Sequence, residues 1–99
     1  MAKFSLLPNG VVPKFPLGNF VITAEAFRKL PVKDVSAALG RHSQGDWGEI
    51  CSPDWEANNE ALDSGGQLLS VFHDSNDVRF WIITEADHKT TTVLLPHDY

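Results

Sequence analysis

The sequence has one cysteine, few basic residues and no long hydrophobic run, and each shortage excludes a class of protein. Cys51 alone can form neither an intramolecular disulfide nor a four-cysteine zinc site, which fits a reducing compartment. No stretch approaches the ~18 apolar residues of a membrane span, and the first residues lack the apolar core of a signal peptide. The sequence therefore predicts a cytoplasmic protein that does not bind membranes.

Positive charge is also scarce. Eight lysine and arginine residues stand against 13 aspartate and glutamate residues, for a formal net charge of −5. The basic residues are scattered, whereas a protein that binds a phosphate backbone needs clustered cations. Direct nucleic-acid binding is therefore disfavoured. An acidic mimic of nucleic acid stays open as an alternative, although the acidic residues form no run.

A chain of 99 residues with 42% hydrophobic residues predicts one globular domain with one core. The first 16 residues contain Pro8, Pro13 and Pro16, a composition that predicts an extended arm lying on a domain formed by residues 17–99. The anchors of this arm would be its six large apolar side chains, which are Phe4, Leu6, Leu7, Val11, Val12 and Phe15.

The segment after the arm predicts one strand and two or three short helices. LGNFVIT is rich in β-forming residues, and Thr23 is a suitable N-cap for a helix over AEAFRKL. PVKDVSAALGRH carries a helical apolar stripe. Ser52 and Pro53 indicate the start of a helix over residues 53–63, and Gly65 ends it. The inner face of that helix would carry Trp55, Asn58 or Asn59, and Leu62.

The last third of the chain has three strand-like runs, QLLSVFH, VRFWIIT and TTTVLLP, joined by two short turns. Pairing across the second turn sets Trp81 opposite Leu94 and Ile83 opposite Thr92. The middle strand, VRFWIIT, is apolar on both sides, so both faces of the sheet must be covered from water. The helices would cover one face. The arm, or less readily a second copy of the chain, would cover the other, which makes the protein a monomer or a homodimer. The predicted fold is α+β, with two or three short N-terminal helices packed on an antiparallel sheet that ends in a three-stranded meander.

The stretch RHSQGDWGE, residues 41–49, places His42, Asp46 and Glu49 close together in sequence. Imidazole and carboxylate groups are the usual parts of metal and proton-transfer sites, but this spacing matches no established metal pattern. The structural interpretation is that Asp46 caps local N–H groups, Trp47 enters the core and His42 ends a helix whose negative pole favours it. We then expect Trp47→Ala to cost about 3–5 kcal/mol and His42→Ala to cost little.

No motif assigns a catalytic residue, a metal or a cofactor. Phosphate-binding and zinc-protease patterns are absent from the sequence, and we expect Cys51 to be a small buried hydrophobe. An enzyme alternative uses His42, Asp46 and Glu85, provided that these side chains converge on a solvent-reachable cleft. The residues predicted to bind a partner are His42, Asp46, Trp47, Glu49, Glu85 and Asp87.

Three stretches, LGRHSQGDWG, NNEALDSGGQLLSVF and FWIITEADHKTTTVLLPHDY, resemble the plasmid-related proteins, short proteins of unknown function from bacterial plasmids, phages and integrated elements. The resemblance runs from about Leu17 to Tyr99, in the order RHxxGDWG, NxxALxxG, LLS, WIITEAD, TTxLLP. It implies an accessory role in a mobile element and carries no catalytic residues. We therefore expect a small protein that binds a protein partner, with a host defence component as a candidate, through the loops at residues 41–50 and 84–90.

Overall fold

The computed structural model describes residues 7, 8 and 10–99. Four strands form one mixed sheet, in the order β1-β4-β3-β2, and three helices precede the last three strands along the chain. The predicted α+β class is confirmed. The elements are β1 (Asn19–Ile22), α1 (Ala24–Lys29), α2 (Val32–Ser43), α3 (Ser52–Ser64), β2 (Leu68–His73), β3 (Arg79–Thr84), β4 (Thr90–Leu94) and a short 3-10 helix (Pro96–Asp98).

The last three strands form the predicted antiparallel meander, and its register is confirmed because Trp81 lies opposite Leu94 and Ile83 opposite Thr92. A wholly antiparallel sheet is wrong, since β1 pairs with β4 in parallel, from Asn19 opposite Thr90 to Ile22 opposite Val93. The chain passes through three helices and two strands between these partners, and a connection of that length lets the strands run in the same direction. Residue alternation along a strand does not encode its direction.

Of α1, α2 and α3, only α1 begins with a side-chain cap, at the predicted Thr23. The Thr23 hydroxyl accepts a hydrogen bond from the Ala26 N–H and donates one to the Asp98 carboxylate, which ties the start of α1 to the C-terminal segment. The N-cap of α3 is Cys51, one residue before the predicted cap. Cys51 is therefore exposed at the surface, with its thiol 3.2 Å from the Asp54 carboxylate, and the expectation of a buried cysteine is wrong.

The core lies between the sheet and the helices, in two clusters. The larger cluster joins α1 and α2 to the strands and contains Ala26, Leu30, Val35, Ala38, Leu39, Phe72, Phe80, Ile82, Val93 and Leu95. The smaller joins the N-terminal segment, the loop after α2 and the start of β2 through Phe15, Trp47 and Leu68, and the partly buried side chains of α3 pack against it.

The described part of the proline-rich arm lies along α2 rather than on the opposite face of the sheet. The Lys14 N–H donates to the Ser43 carbonyl, and the ring of Pro8 approaches Gly40 so closely that a Cβ there would lie 2.9 Å from it. Phe15 is buried as predicted, but the Val12 side chain is 75% exposed, and Val12 is held through its carbonyl, which accepts a hydrogen bond from the Gln44 side chain. The predicted anchors Phe4 and Leu6 lie outside the described residues.

Candidate functional site

The stretch around His42 forms a buried polar chain. The imidazole Nδ1 is 2.6 Å from the Ser70 hydroxyl of β2, and its Nε2 is 2.9 Å from the Thr84 hydroxyl of β3. Thr84 in turn hydrogen-bonds with Thr91 of β4 at 2.8 Å, and the Thr91 hydroxyl donates to the Leu17 carbonyl at 2.6 Å. One side chain of α2 therefore connects to three strands and to the N-terminal segment.

The imidazole of His42 is fully buried, with the ring of Phe15 5.5 Å away and the ring of Trp47 5.4 Å away. Burial lowers the pKa of His42 to about 3, so the ring is neutral near pH 7. A neutral imidazole has one donor and one acceptor nitrogen, which match the hydroxyls of Ser70 and Thr84. His42 lies in the last turn of α2 as predicted, but a neutral ring is not stabilised as a cation by the negative pole of the helix, so that part of the interpretation is wrong.

The burial of His42 bears on both catalysis and stability. A serine hydroxyl hydrogen-bonded to an imidazole, as in Ser70 and His42, could form a nucleophile–base pair. Both residues are 0% exposed, so a substrate in solution cannot reach them. The expectation that His42→Ala costs little does not fit this environment, because the substitution would leave a cavity and two hydroxyls with a lost partner.

The loop after α2 has the structure that the capping argument predicted. The Asp46 carboxylate accepts a hydrogen bond from the Gly48 N–H at 3.1 Å and from Arg41 Nε at 2.7 Å. The hydrogen bond from Arg41 holds the pKa of Asp46 below its ordinary value. Trp47 is fully buried, and its indole N–H donates to the Asn59 side chain at 3.0 Å. Asp46 thus shapes a turn that directs Trp47 into the core.

Glu49 and the β3–β4 hairpin lie elsewhere on the surface. The Glu49 carboxylate contacts the exposed side chains of His73 and Arg79 at the β2–β3 end of the sheet. Glu85 and Asp87 are exposed in the other hairpin, where the Asp87 carboxylate accepts the Lys89 N–H at 2.9 Å. His42 faces the interior, so no solvent-reachable cleft contains it together with these carboxylates. A binding role for the exposed loop residues stays a prediction.

The outer edge of β2 is closed by a side chain of α3 and by backbone groups of the loop after α2. The Asn58 amide donates to the Leu69 carbonyl at 2.7 Å, and its oxygen accepts the Leu69 N–H at 3.2 Å. The next outward-facing residue, Val71, donates to the Trp47 carbonyl and accepts the Glu49 N–H. No added strand could pair here without displacing these groups.

The outer edge of β1, in contrast, is open in the sense that no described backbone group pairs with it. The N–H groups of Asn19 and Thr23 point to β4, so those of Phe20 and Ile22 point away from the sheet. Within the described part of the chain, no backbone group pairs with them on that side. No residue of β1 marks this edge as open, since the closed strand β2 also lacks the lysine or proline that commonly protects an edge strand.

Large apolar side chains surround the open edge. Phe20, Val21, Phe27 and Val32 are 37%, 45%, 66% and 68% exposed. A groove beside them has no charged lining residue and is lined by Phe20, Ile22, Phe27, Leu30, Val32, Val35 and Ser36. We call the open edge, the four exposed side chains and this groove the β1–α1 surface. It contains none of the residues that the sequence analysis assigned to binding.

Comparison with known proteins adds no functional assignment, because no family model, curated protein or solved structure matches the chain. Across residues 7, 8 and 10–99, no group of three or more histidine, cysteine, aspartate or glutamate residues is arranged to hold a metal ion. The helices formed by those residues are too short or too polar to cross a membrane.

Proposed function

We propose that the chain acts by binding another protein through the β1–α1 surface, as a small accessory protein of a bacterial mobile element. The observation that supports binding is the group of exposed apolar side chains along the groove, Phe20, Phe27 and Val32, beside a strand edge that no described backbone group pairs. Apolar patches of this kind mark protein-interaction sites, and an open edge offers backbone hydrogen bonds to a partner. The accessory role is supported by the sequence resemblance, with a host defence component as a candidate partner.

The other two hypotheses have less support from the geometry. The enzyme alternative needs His42, Asp46 and Glu85 at one accessible cleft, and His42 is fully buried. The acidic-mimic alternative needs carboxylates in spaced rows on one face. The exposed Glu85 and Asp87 lie in a hairpin, where Asp87 is engaged with local backbone.

Site-specific photo-cross-linking tests the proposal. A benzophenone amino acid replaces Phe27, which is 66% exposed on the β1–α1 surface, or Tyr99, which is 77% exposed at the C-terminus. After irradiation of bacterial cells that express either variant, we expect a discrete adduct from position 27 and none from position 99. Equal adduct patterns from the two positions, or none from position 27, would count against the β1–α1 surface as a binding site.

A further inference from the structure

The open edge of β1 is complementary to itself in one register. Opposite residues of an antiparallel pair alternate between pairs that exchange two backbone hydrogen bonds and pairs that exchange none. If two copies of β1 align about a two-fold axis at Val21, Phe20 of each copy lies opposite Ile22 of the other. The backbone N–H and C=O groups of both residues point away from β4. Each Phe20–Ile22 pair can therefore exchange two backbone hydrogen bonds across the axis. An isologous dimer interface requires this kind of self-complementarity.

We propose that the β1–α1 surface binds a second copy of this chain, by antiparallel pairing of β1 with β1 and with Val21 on the two-fold axis. The inference rests on the proposed function because it concerns the same surface, which the second copy occupies in competition with any other protein partner. The two four-stranded sheets then form one continuous sheet, whose outer edges are the closed β2 strands.

The side chains of β1 suit this arrangement. Phe20 and Ile22 lie opposite Thr91 and Val93, so they point to the helix-covered face of the sheet. In the paired register, Phe20 of the second copy lies beside Ile22, over the groove that Phe27 lines. The pairing therefore covers the exposed aromatic surface at the same time as it completes the backbone hydrogen bonds.

The charge distribution also favours self-association at this surface. Two copies of the chain repel one another because each has a net charge of −5. This repulsion is weakest at a surface where acidic groups are few or are balanced by basic ones. Neither β1 nor the groove carries a charged side chain, and α1 has two bases, Arg28 and Lys29, against one acid, Glu25. In contrast, α3 carries four acids and no base, at Asp54, Glu56, Glu60 and Asp63.

The area available predicts a reversible dimer rather than a permanent one. The exposed fractions of Phe20 and Phe27 add to about one aromatic side chain, which presents ~150–250 Å². Even with the two valines included, the area from both copies stays below the ~1,200 Å² that separates weak complexes from standard ones. We expect dimerisation to depend on concentration in sedimentation velocity.

Disulfide trapping tests the register. In a Cys51→Ser background, which removes the exposed native thiol, Val21→Cys places two thiols across the axis. A pair without backbone bonds has its Cα atoms about 4.5 Å apart, within the span of a disulfide. Asn19→Cys is the matched control, because Asn19 lies on the same side of the same strand. Its two copies would be separated by about 13 Å along the strands.

Under mild oxidation, we expect Val21→Cys to form a cross-linked dimer at least ten times faster than Asn19→Cys, with both variants keeping the melting temperature of the background. Similar rates for both variants, or a chain that sediments as a monomer at every concentration, would overturn the dimer. If a monomeric chain still gives a photo-adduct from position 27 with a different protein, the proposed function stands and only the second copy is wrong. If position 27 also gives no adduct, both proposals fail.

Discussion

The two edges of the sheet have similar strands and different surroundings. Neither β2 nor β1 contains a lysine or a proline, so neither strand protects its own edge. β2 is closed by Asn58 of α3 and by the loop around Trp47, whereas the outward groups of β1 pair with no described part of the chain. Edge protection in this protein therefore comes from neighbouring elements rather than from the residues of the strand.

The closed edge depends on a backbone conformation that only glycine accepts readily. Gly48 has φ +77°, and a Cβ on it would lie 2.0 Å from the Val71 carbonyl oxygen. The absence of a side chain lets the loop approach β2 closely enough for the Trp47 and Glu49 backbone groups to pair with Val71. Beside β1 the comparable close approach lies on the side of β4, where a Cβ on Gly18 would be 2.2 Å from the Lys89 carbonyl oxygen, and no described backbone group approaches the outer edge in this way.

The largest expected effect comes from removing the side chain that holds the closing loop in the core. Trp47 is fully buried and hydrogen-bonded to Asn59, so Trp47→Ala should lower the free energy of unfolding by about 3–5 kcal/mol. Trp81→Ala, at a partly exposed position, is the control and should cost less. Chemical denaturation measures both, and an unchanged unfolding midpoint for Trp47→Ala would contradict a structural role for the ring.

Acid should weaken the closed side of the sheet through His42. The folded-state pKa of about 3 lies below the ordinary value of 6.5, so the unfolded chain binds the extra proton first as the pH falls. The cost grows by 1.36 kcal/mol for each pH unit below 6.5, so that it reaches about 3 kcal/mol at pH 4.5 and is small at pH 7.5. The carboxyl groups of Asp34, Asp46 and Asp98 do not titrate between pH 7.5 and 4.5, because their pKa values are lowered from 3.8.

His42→Gln is the control for the acid effect, because glutamine is neutral across this range. We expect the variant to be less stable than the parent at pH 7.5 but to lose less stability on acidification. Unfolding midpoints at a series of pH values measure the difference. Equal slopes for the two proteins would place the acid sensitivity at another group.

A smaller loss should follow from opening the closed edge directly. Asn58→Ala removes both hydrogen bonds to the Leu69 backbone and should cost about 2 kcal/mol, because a partly buried N–H and carbonyl lose their partner. The adjacent Asn59→Ala removes a single bond to the Trp47 indole and should cost about 1 kcal/mol. The comparison fails if the two variants unfold at the same denaturant concentration.

The smallest expected change in stability is at the open edge. Val21 is 45% exposed, so Val21→Lys should change the free energy of unfolding by less than about 0.5 kcal/mol. Sedimentation should nevertheless show less self-association, since the substitution places two like charges at the proposed axis. A loss of stability as large as that of Asn58→Ala would mean that β1 is as firmly closed as β2.

The meander and the loop after α2 could be predicted because their signals are local. Alternation and short turns predict the pairing of Trp81 with Leu94, and the GDWG spacing predicts that Asp46 caps a turn. The burial of His42 could not be predicted, because its partners Ser70 and Thr84 are 28 and 42 residues away. The expectation that Cys51 is buried came from the general preference of free cysteine for the interior, and the structure places it at the surface.

The sequence by itself determined the α+β class, the Thr23 cap of α1 and the register of the last strands, since these follow from propensity, spacing and turn chemistry within short segments. Only the tertiary structure decided the parallel placement of β1 beside β4, the polar chain of His42 and the closing of β2 by Asn58. Each of these depends on groups that the sequence separates widely and that the fold brings within hydrogen-bond distance. Residue patterns along one segment carry no information about such distances.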